Sequence, residues 1–411
     1  MNYFNKRAHS YSPNPRTFGL RLFLSPSYSI IRFVIGCSLV SIGIFVSAAG
    51  GSWDISNHLL NKPETFFSIP HAVLYTGVVV AIFGVVIVRM DHRGSMSIYD
   101  NNNSLKISSK LIFAGISMLV VAGPIDFAWH SAFGLDGLLS PPHFVLLFGM
   151  IISSLGAMLG IISYVNRART FNFADDRKVM HKDLRTELKM TRFLNSQKIL
   201  LSLIFIGVLP IWMTLDGLIG MFSLPFSKTQ YFDFNPDPFL AAVLTTVGYP
   251  LLMSFVLCFS FHLGKRKFGI LSVVGASYLT IHAITAILPN ESLIPTLPFY
   301  ILNILPILAS DILLSFSANR VLSVFGSGSI LGSSFLMIQY PLITYVYNEV
   351  FTKQAFVWPS LLSSSYFGMI SSIYPLVIGP AFAMGIIGAI LAGKVIDGLS
   401  LSSIVEQRSR S

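Results

Sequence analysis

An aspartate, a histidine four residues on, and a second histidine thirteen residues after that occur twice in this chain. Asp54, His58 and His71 form the first set, within Trp53-Asp-Ile-Ser-Asn-His58 and Ser68-Ile-Pro-His71. Asp126, His130 and His143 form the second, within Asp126-Phe-Ala-Trp-His130 and Ser140-Pro-Pro-His143. The two align without a gap at a separation of 72 residues. On a helix, residues four apart share a face, so the first two members of each set can approach one ion together. Pro70 and Pro142 suit the first turn of a following helix, where no amide proton is needed, and that helix would bring the third member. Two imidazoles and one carboxylate leave coordination positions open and suit Cu(II), Zn(II) or non-haem Fe(II); raw affinity favours copper. The competing reading is a group of interfacial polar residues at helix ends. Two complete sets at one spacing, using four of the nine histidines, favour metal.

The elements that must position these residues follow from composition. The 411 residues are 53% hydrophobic and 11% charged, with a mean hydropathy of +0.69, whereas a soluble domain carries about a quarter of its residues charged. Lipid is therefore the solvent for most of the chain. The fold class expected is an all-α polytopic membrane bundle of about ten transmembrane helices, because apolar runs of about 20 residues span a bilayer. These runs lie near 33–53, 69–90, 111–130, 142–164, 199–221, 238–262, 269–288, 296–318, 321–348 and 366–393. Pro375 and Pro380 could divide the last, overlong run into a re-entrant piece and a span.

Charge sets the expected orientation. With a cytoplasmic N-terminus, the inner segments hold 25 of the 28 Lys and Arg, and the outer loops only Lys62, Lys228 and Lys353. Both termini are then cytoplasmic and both Asp/His sets face outward, as expected for a multi-pass protein of the plasma membrane. The regions read as a tail over 1–32, a four-helix part with both sites over 33–164, a basic loop over 165–198, a six-helix part over 199–398 and a tail over 399–411. The basic loop has the charge interleaving of a surface helix on anionic headgroups. A net charge of +10 distributed this way points to membrane lipid, not nucleic acid. Cys37 and Cys258 lie in apolar runs and make no disulfide or CxxC pattern.

Each Asp/His set falls on an outward-pointing helical hairpin, and five such hairpins in tandem would account for ten spans. The later hairpins carry weaker echoes: Trp212 and Asp216, then His282, then Glu349 and Trp358. The four tryptophans, Trp53, Trp129, Trp212 and Trp358, read as an aromatic belt at the headgroups, with Trp53 and Trp129 also placed to wall the polar sites. Asp311, deep in the eighth run, is either an intramembrane functional carboxylate or one hydrogen-bonded to Ser310, Ser315 or a neighbouring helix. Asp216 and His282 lie at similar depths and could share an outer cavity, whereas Asp311 lies too deep to pair with His282.

The second set carries a resemblance. Asp126, Trp129-His130, Asp136 in the loop and Pro142-His143 are similar to the metal-binding stretch in one membrane subunit of the copper membrane monooxygenases, the particulate methane and ammonia enzymes. The similar part covers roughly residues 50–160, and the chain is longer than that subunit. A broad set of polytopic membrane proteins shares this wording, and membership there would assign no activity. The resemblance implies a copper site, companion membrane subunits and oxidation of a small apolar substrate, or metal handling for such an enzyme. Two other classes stay open. One is a transporter of a metal ion or small solute, with Asp216, His282 and Asp311 marking a path inward. The other is a structural subunit of a membrane complex, its sites stapling hairpins together.

Overall fold

Hydrocarbon offers no partner for a backbone amide, so each apolar run must satisfy its own N–H and C=O groups, as a helix does. The computed structural model describes residues 29–59, 65, 67–94, 103–133, 140–170, 197–223, 238–345 and 374–408. Among the described residues are ten helices long and apolar enough to cross a membrane, and no strand. They are α1 (Ser29–Leu59), α2 (Ile69–Gly94), α3 (Asn103–Phe133), α4 (Pro141–Thr170), α5 (Gln197–Ser223), α6, α7 (Ile270–Ile287), α8, α9 and α10 (Tyr374–Arg408). Three of them are interrupted. α6 joins Pro238–Val243 to Tyr249–Leu263 through a π turn at Leu244–Gly248. α8 is a 3-10 turn (Glu291–Thr296), a short helix (Leu297–Leu302) and a longer one (Ile304–Phe316). α9 joins Arg320–Ser334 to Tyr340–Tyr345 through a π turn at Phe335–Gln339.

All ten expected spans coincide with these helices, with three differences at their ends. α10 continues through Pro380 without a break, and Pro375 falls in its first turn, where proline costs no hydrogen bond. The same helix reaches Arg408, so the segment read as a tail over 399–411 begins as helix. α1 runs on through Asp54 to Leu59, so Asp54 and His58 belong to the helix and not to the loop beyond it. The expected surface helix of the basic loop, the stretch 359–373 and Trp358 lie outside the described residues.

The 72-residue echo extends from the Asp/His sets into the packing of the helices that carry them. α1 lies along α2, and α3 along α4. A Cβ on Gly43 would stand 2.5 Å from the Ala81 amide nitrogen, and one on Gly115 the same 2.5 Å from that of Ser153. Gly84 and Gly156 would meet the nitrogens of Val40 and Ile112 at 2.7 and 2.8 Å. Each residue in one hairpin corresponds to the residue 72 positions on in the other. Small residues let the backbones approach, which is how helices gain contact where lipid supplies no hydrophobic drive. Buried serines add hydrogen bonds to backbone carbonyls: Ser47 Oγ donates to Leu74 O at 3.0 Å and Ser108 Oγ to Gly156 O at 2.7 Å. Because backbone, not a flexible side chain, meets the added atom, Gly43→Val is expected to destabilise the protein by about 1–3 kcal/mol. Thermal unfolding of the detergent-solubilised chain would read this as a lower midpoint; an unchanged midpoint would refute the close approach.

The two hairpins join through α1, which also packs on α4 and α5, while α10 lies against α6 and α9. Trp212 of α5 stacks on Tyr278 of α7, ring centroids 3.8 Å apart and planes 2° from parallel. Both rings are buried, so Trp212 is a core residue and not part of a headgroup belt.

Candidate metal centre

Ser68 and Ser140 stand at equivalent positions just ahead of α2 and α4, and their carbonyls accept the first helical bonds, from Ala72 and Phe144. The Ser140 hydroxyl also accepts the His143 amide at 3.5 Å. With Pro70 and Pro142 in the first turn, these starts put His71 and His143 at the ends of their helices, facing the last turns of α1 and α3.

In the second set all three predicted ligands meet. One donor atom each from Asp126, His130 and His143 lies within 4.8 Å of the other two. His143 Nε2 is 3.4 Å and His130 Nε2 3.6 Å from Asp126 Oδ1, and the imidazole centroids are 5.4 Å apart. These separations exceed those of a charge-assisted hydrogen bond, about 2.7–2.9 Å. They match the edge of a tetrahedron about an ion with bonds of 2.0–2.2 Å, which is about 3.4 Å. Asp126 Oδ1 is buried and accepts no hydrogen bond among the described residues. The donor set therefore fits a transition-metal ion.

The first set comes together in part. His71 Nε2 is 3.2 Å from Asp54 Oδ2, and His71 Nδ1 is 2.9 Å from the Thr65 carbonyl. A carbonyl only accepts, so Nδ1 must carry a proton. A neutral His71 then turns its Nε2 lone pair towards a carboxylate, and a cation must lie between them: a proton or a metal ion. A backbone carbonyl on the far ring nitrogen is also the usual outer support of a metal-bound histidine. His58 lies on α1, but its side chain is outside the described residues, as is Asp136.

A third pair joins them. His282 Nε2 of α7 is 3.6 Å from Asp216 Oδ2 of α5. Sequence reasoning placed both at one depth; the structure makes them partners across two hairpins. Trp212 and Tyr278 stand one turn below on the same helices, and the Tyr278 ring touches His282 at 4.3 Å between centroids. His282→Ala should cost about 1–3 kcal/mol by removing one polar partner of the buried Asp216 carboxyl group, leaving it Tyr278. Adding Asp216→Asn should recover part of the loss, giving a non-zero coupling in a double-mutant unfolding cycle. Strictly additive losses would argue against the pair.

Members of all three groups line one cavity of about 200 Å³: Asp54 and His71, Asp126 and His143, and Asp216 and His282. Two sites expected on separate hairpins are thus two corners of one chamber. Tyr75 stacks on His71 at 5.8 Å and lies within electrostatic range of both Asp54 and Asp126. Met150, Met213 and Met221 also line the chamber, and thioethers are soft ligands that suit Cu(I). Sequence reasoning missed the methionines; Met213, three residues before Asp216 and so on its helix face, was the available signal.

Other expected positions fall elsewhere. Trp53 and Trp129 are not among the residues lining the chamber; Trp129 packs on Phe133 at 4.5 Å. Asp311 is hydrogen-bonded to Ser315 and to a neighbouring helix, one of the two readings the sequence allows. Its Oδ2 accepts from the Gly269 and Ser272 amides at 3.0 and 2.9 Å and from the Ser272 hydroxyl at 2.7 Å, holding the first turn of α7. Ser315 Oγ adds a longer bond to Oδ1 at 3.4 Å. No protein-family model, curated protein or solved structure matches the chain.

Proposed function

We propose that this is a multi-pass membrane protein whose chamber binds a transition-metal ion on Asp126, His130 and His143, with copper the favoured metal and zinc or iron as the alternatives. The convergence of those three donor atoms within 4.8 Å carries the reading. Asp54 and His71 form a second binding corner. The resemblance to a membrane subunit of the copper membrane monooxygenases supports a role in oxidising a small apolar substrate or in handling metal for such an enzyme, beside other membrane subunits. The Lys/Arg bias supports a plasma-membrane protein with the chamber on the extracytoplasmic side.

When bound, the ion would supply Lewis-acid or redox chemistry at its open positions. The protein's own residues do the rest. Thr65 and Ser140 fix the two helix starts, Asp126 orients two imidazoles from different helices, and Met150, Leu146 and Leu147 give the chamber an apolar wall. Of the three residues that the transporter reading set along a path inward, Asp216 and His282 line the chamber, while Asp311 is engaged in holding α7.

Metal analysis of the purified full-length chain tests this. Protein reconstituted in turn with Cu(II), Zn(II) and Fe(II), then desalted, is expected to retain at least one ion per chain, copper most tightly. Retention far below one ion per chain with every metal would overturn the reading.

A further inference from the structure

α7 has two working faces. One presents His282, Thr285 and Ala286 to the chamber. The other, with Leu279, Ala283 and Ile287, meets Leu297, Ile301 and Ile304 of α8 around a second cavity of about 280 Å³. Its rim is open: Ile284, Leu288 and Ile301 are 48%, 53% and 64% exposed. Both helices are spans, so that exposure is to lipid tails. The floor is closed by Leu279, Ala283 and Tyr300, all buried. Tyr300 is also a wall of the chamber, so a single ring belongs to both spaces.

That ring is carried on a joint. Tyr300 sits in the six-residue helix Leu297–Leu302, which follows a 3-10 turn and leads through Asn303 into the longer helix. Asn303 is buried and keeps helical dihedrals; its amide and its Nδ2 both donate to the Phe299 carbonyl, at 3.2 and 2.9 Å, so the winding carries on into Ile304–Phe316. The change from 3-10 to α winding just ahead of Tyr300 is where this segment can adjust, and such junctions often serve as hinges that gate sites.

We propose that small apolar molecules dissolved in the bilayer enter the chamber sideways, through the groove between α7 and α8, with the Tyr300 ring as its door. The lining decides what passes. Apart from the hydroxyls of Thr280 and Tyr300 it is hydrocarbon, so a bare ion would lose its hydration with nothing to replace it. An apolar solute moves from lipid tails into the groove with almost no change of solvent. This names the substrate class of the site proposed above, and it rests on that reading only for the fate of the molecule once it has arrived.

Photolabelling of the full-length, metal-free chain in phosphatidylcholine nanodiscs with a short-chain alkyl diazirine tests the route, adducts being mapped by mass spectrometry. Wild type should carry label both in the groove, at Ala283 or Ile301, and in the chamber, at Leu146 or Met150. Filling the groove with Ala283→Trp should lower chamber labelling several-fold. Ile301→Trp, at the lipid-exposed rim, repeats the test where packing is not at risk. Tyr300→Ala should raise chamber labelling several-fold. Chamber labelling undiminished in both tryptophan variants would overturn the route, as would label that stops in the groove in wild type and Tyr300→Ala alike. Because no metal is present, a failure of metal binding leaves this outcome separately readable.

Discussion

Replacing Asp126 and His130 together by alanine is expected to weaken metal binding by at least about a thousandfold, well beyond the roughly 10–100-fold that follows loss of an outer support. Two of three converging donor atoms disappear, and His143 alone cannot hold an ion against buffer and water. The fold should survive. Both residues lie near the C-terminal end of α3, and Asp126 lines the chamber, whereas the glycine and serine contacts that join α3 to α4, at Ser108, Ile112 and Gly115, lie further towards the start of the helix. Competition titration with a chelator of known affinity reads the effect, and the thermal midpoint of the same samples checks the fold. His71→Ala should leave the Asp126 corner its ion, because the two corners draw ligands from different hairpins. Equal loss in both variants would mean that the corners act as one site.

Asp311→Ala is expected to destabilise the protein by about 2–4 kcal/mol. The carboxylate is fully buried and caps α7 through two amides and a hydroxyl. Hydrogen bonds to a charged group contribute about 1.5–3 kcal/mol, and loss of an N-cap costs about 0.5–2 kcal/mol. The preceding turn raises the stake. Lys265 and Arg266 have φ of 62° and 58°, a left-handed conformation costly for residues with a Cβ, and Gly269 follows at 92°. The Asp311 bonds hold the end of that turn in place. Asp311→Asn keeps one acceptor oxygen and should lose less than alanine does. Metal binding by the folded fraction should be unchanged in both, since Asp311 is remote from the chamber. Unfolding midpoints with parallel metal titrations test the two halves together. A variant of normal stability with impaired metal binding would return Asp311 to a functional path.

The legible part of this protein is what lipid and repetition write into the sequence. Ten apolar runs became ten spans because a backbone in hydrocarbon has no alternative to the helix. Asp126, His130 and His143 were legible because helix spacing puts the first two on one face and a proline-led helix start supplies the third. The reading of two separate sites was incomplete for a physical reason. Spacing along one hairpin says nothing about which hairpins meet, and the approach of α1 to α4, α5 and α7 places Asp54, Asp126 and Asp216 around one space. Asp216 and His282 illustrate the same limit, since 66 residues separate partners on different hairpins. Asp311 was ambiguous because an intramembrane carboxylate looks the same in sequence whether it caps a helix or carries a proton. Trp212 was misread since its depth, not its residue type, decides between belt and core. The glycines at 43, 84, 115 and 156 repeat with the Asp/His sets, and that wider echo was available to be read.

The most direct test of the metal centre is X-ray absorption at the edge of the ion bound to reconstituted full-length protein. The expected first shell is nitrogen and oxygen at about 2.0–2.2 Å, with the outer scattering of two imidazoles. His130→Ala and His143→Ala should each remove one imidazole from that pattern. A first shell without imidazole scattering, or one unchanged in both variants, would contradict it.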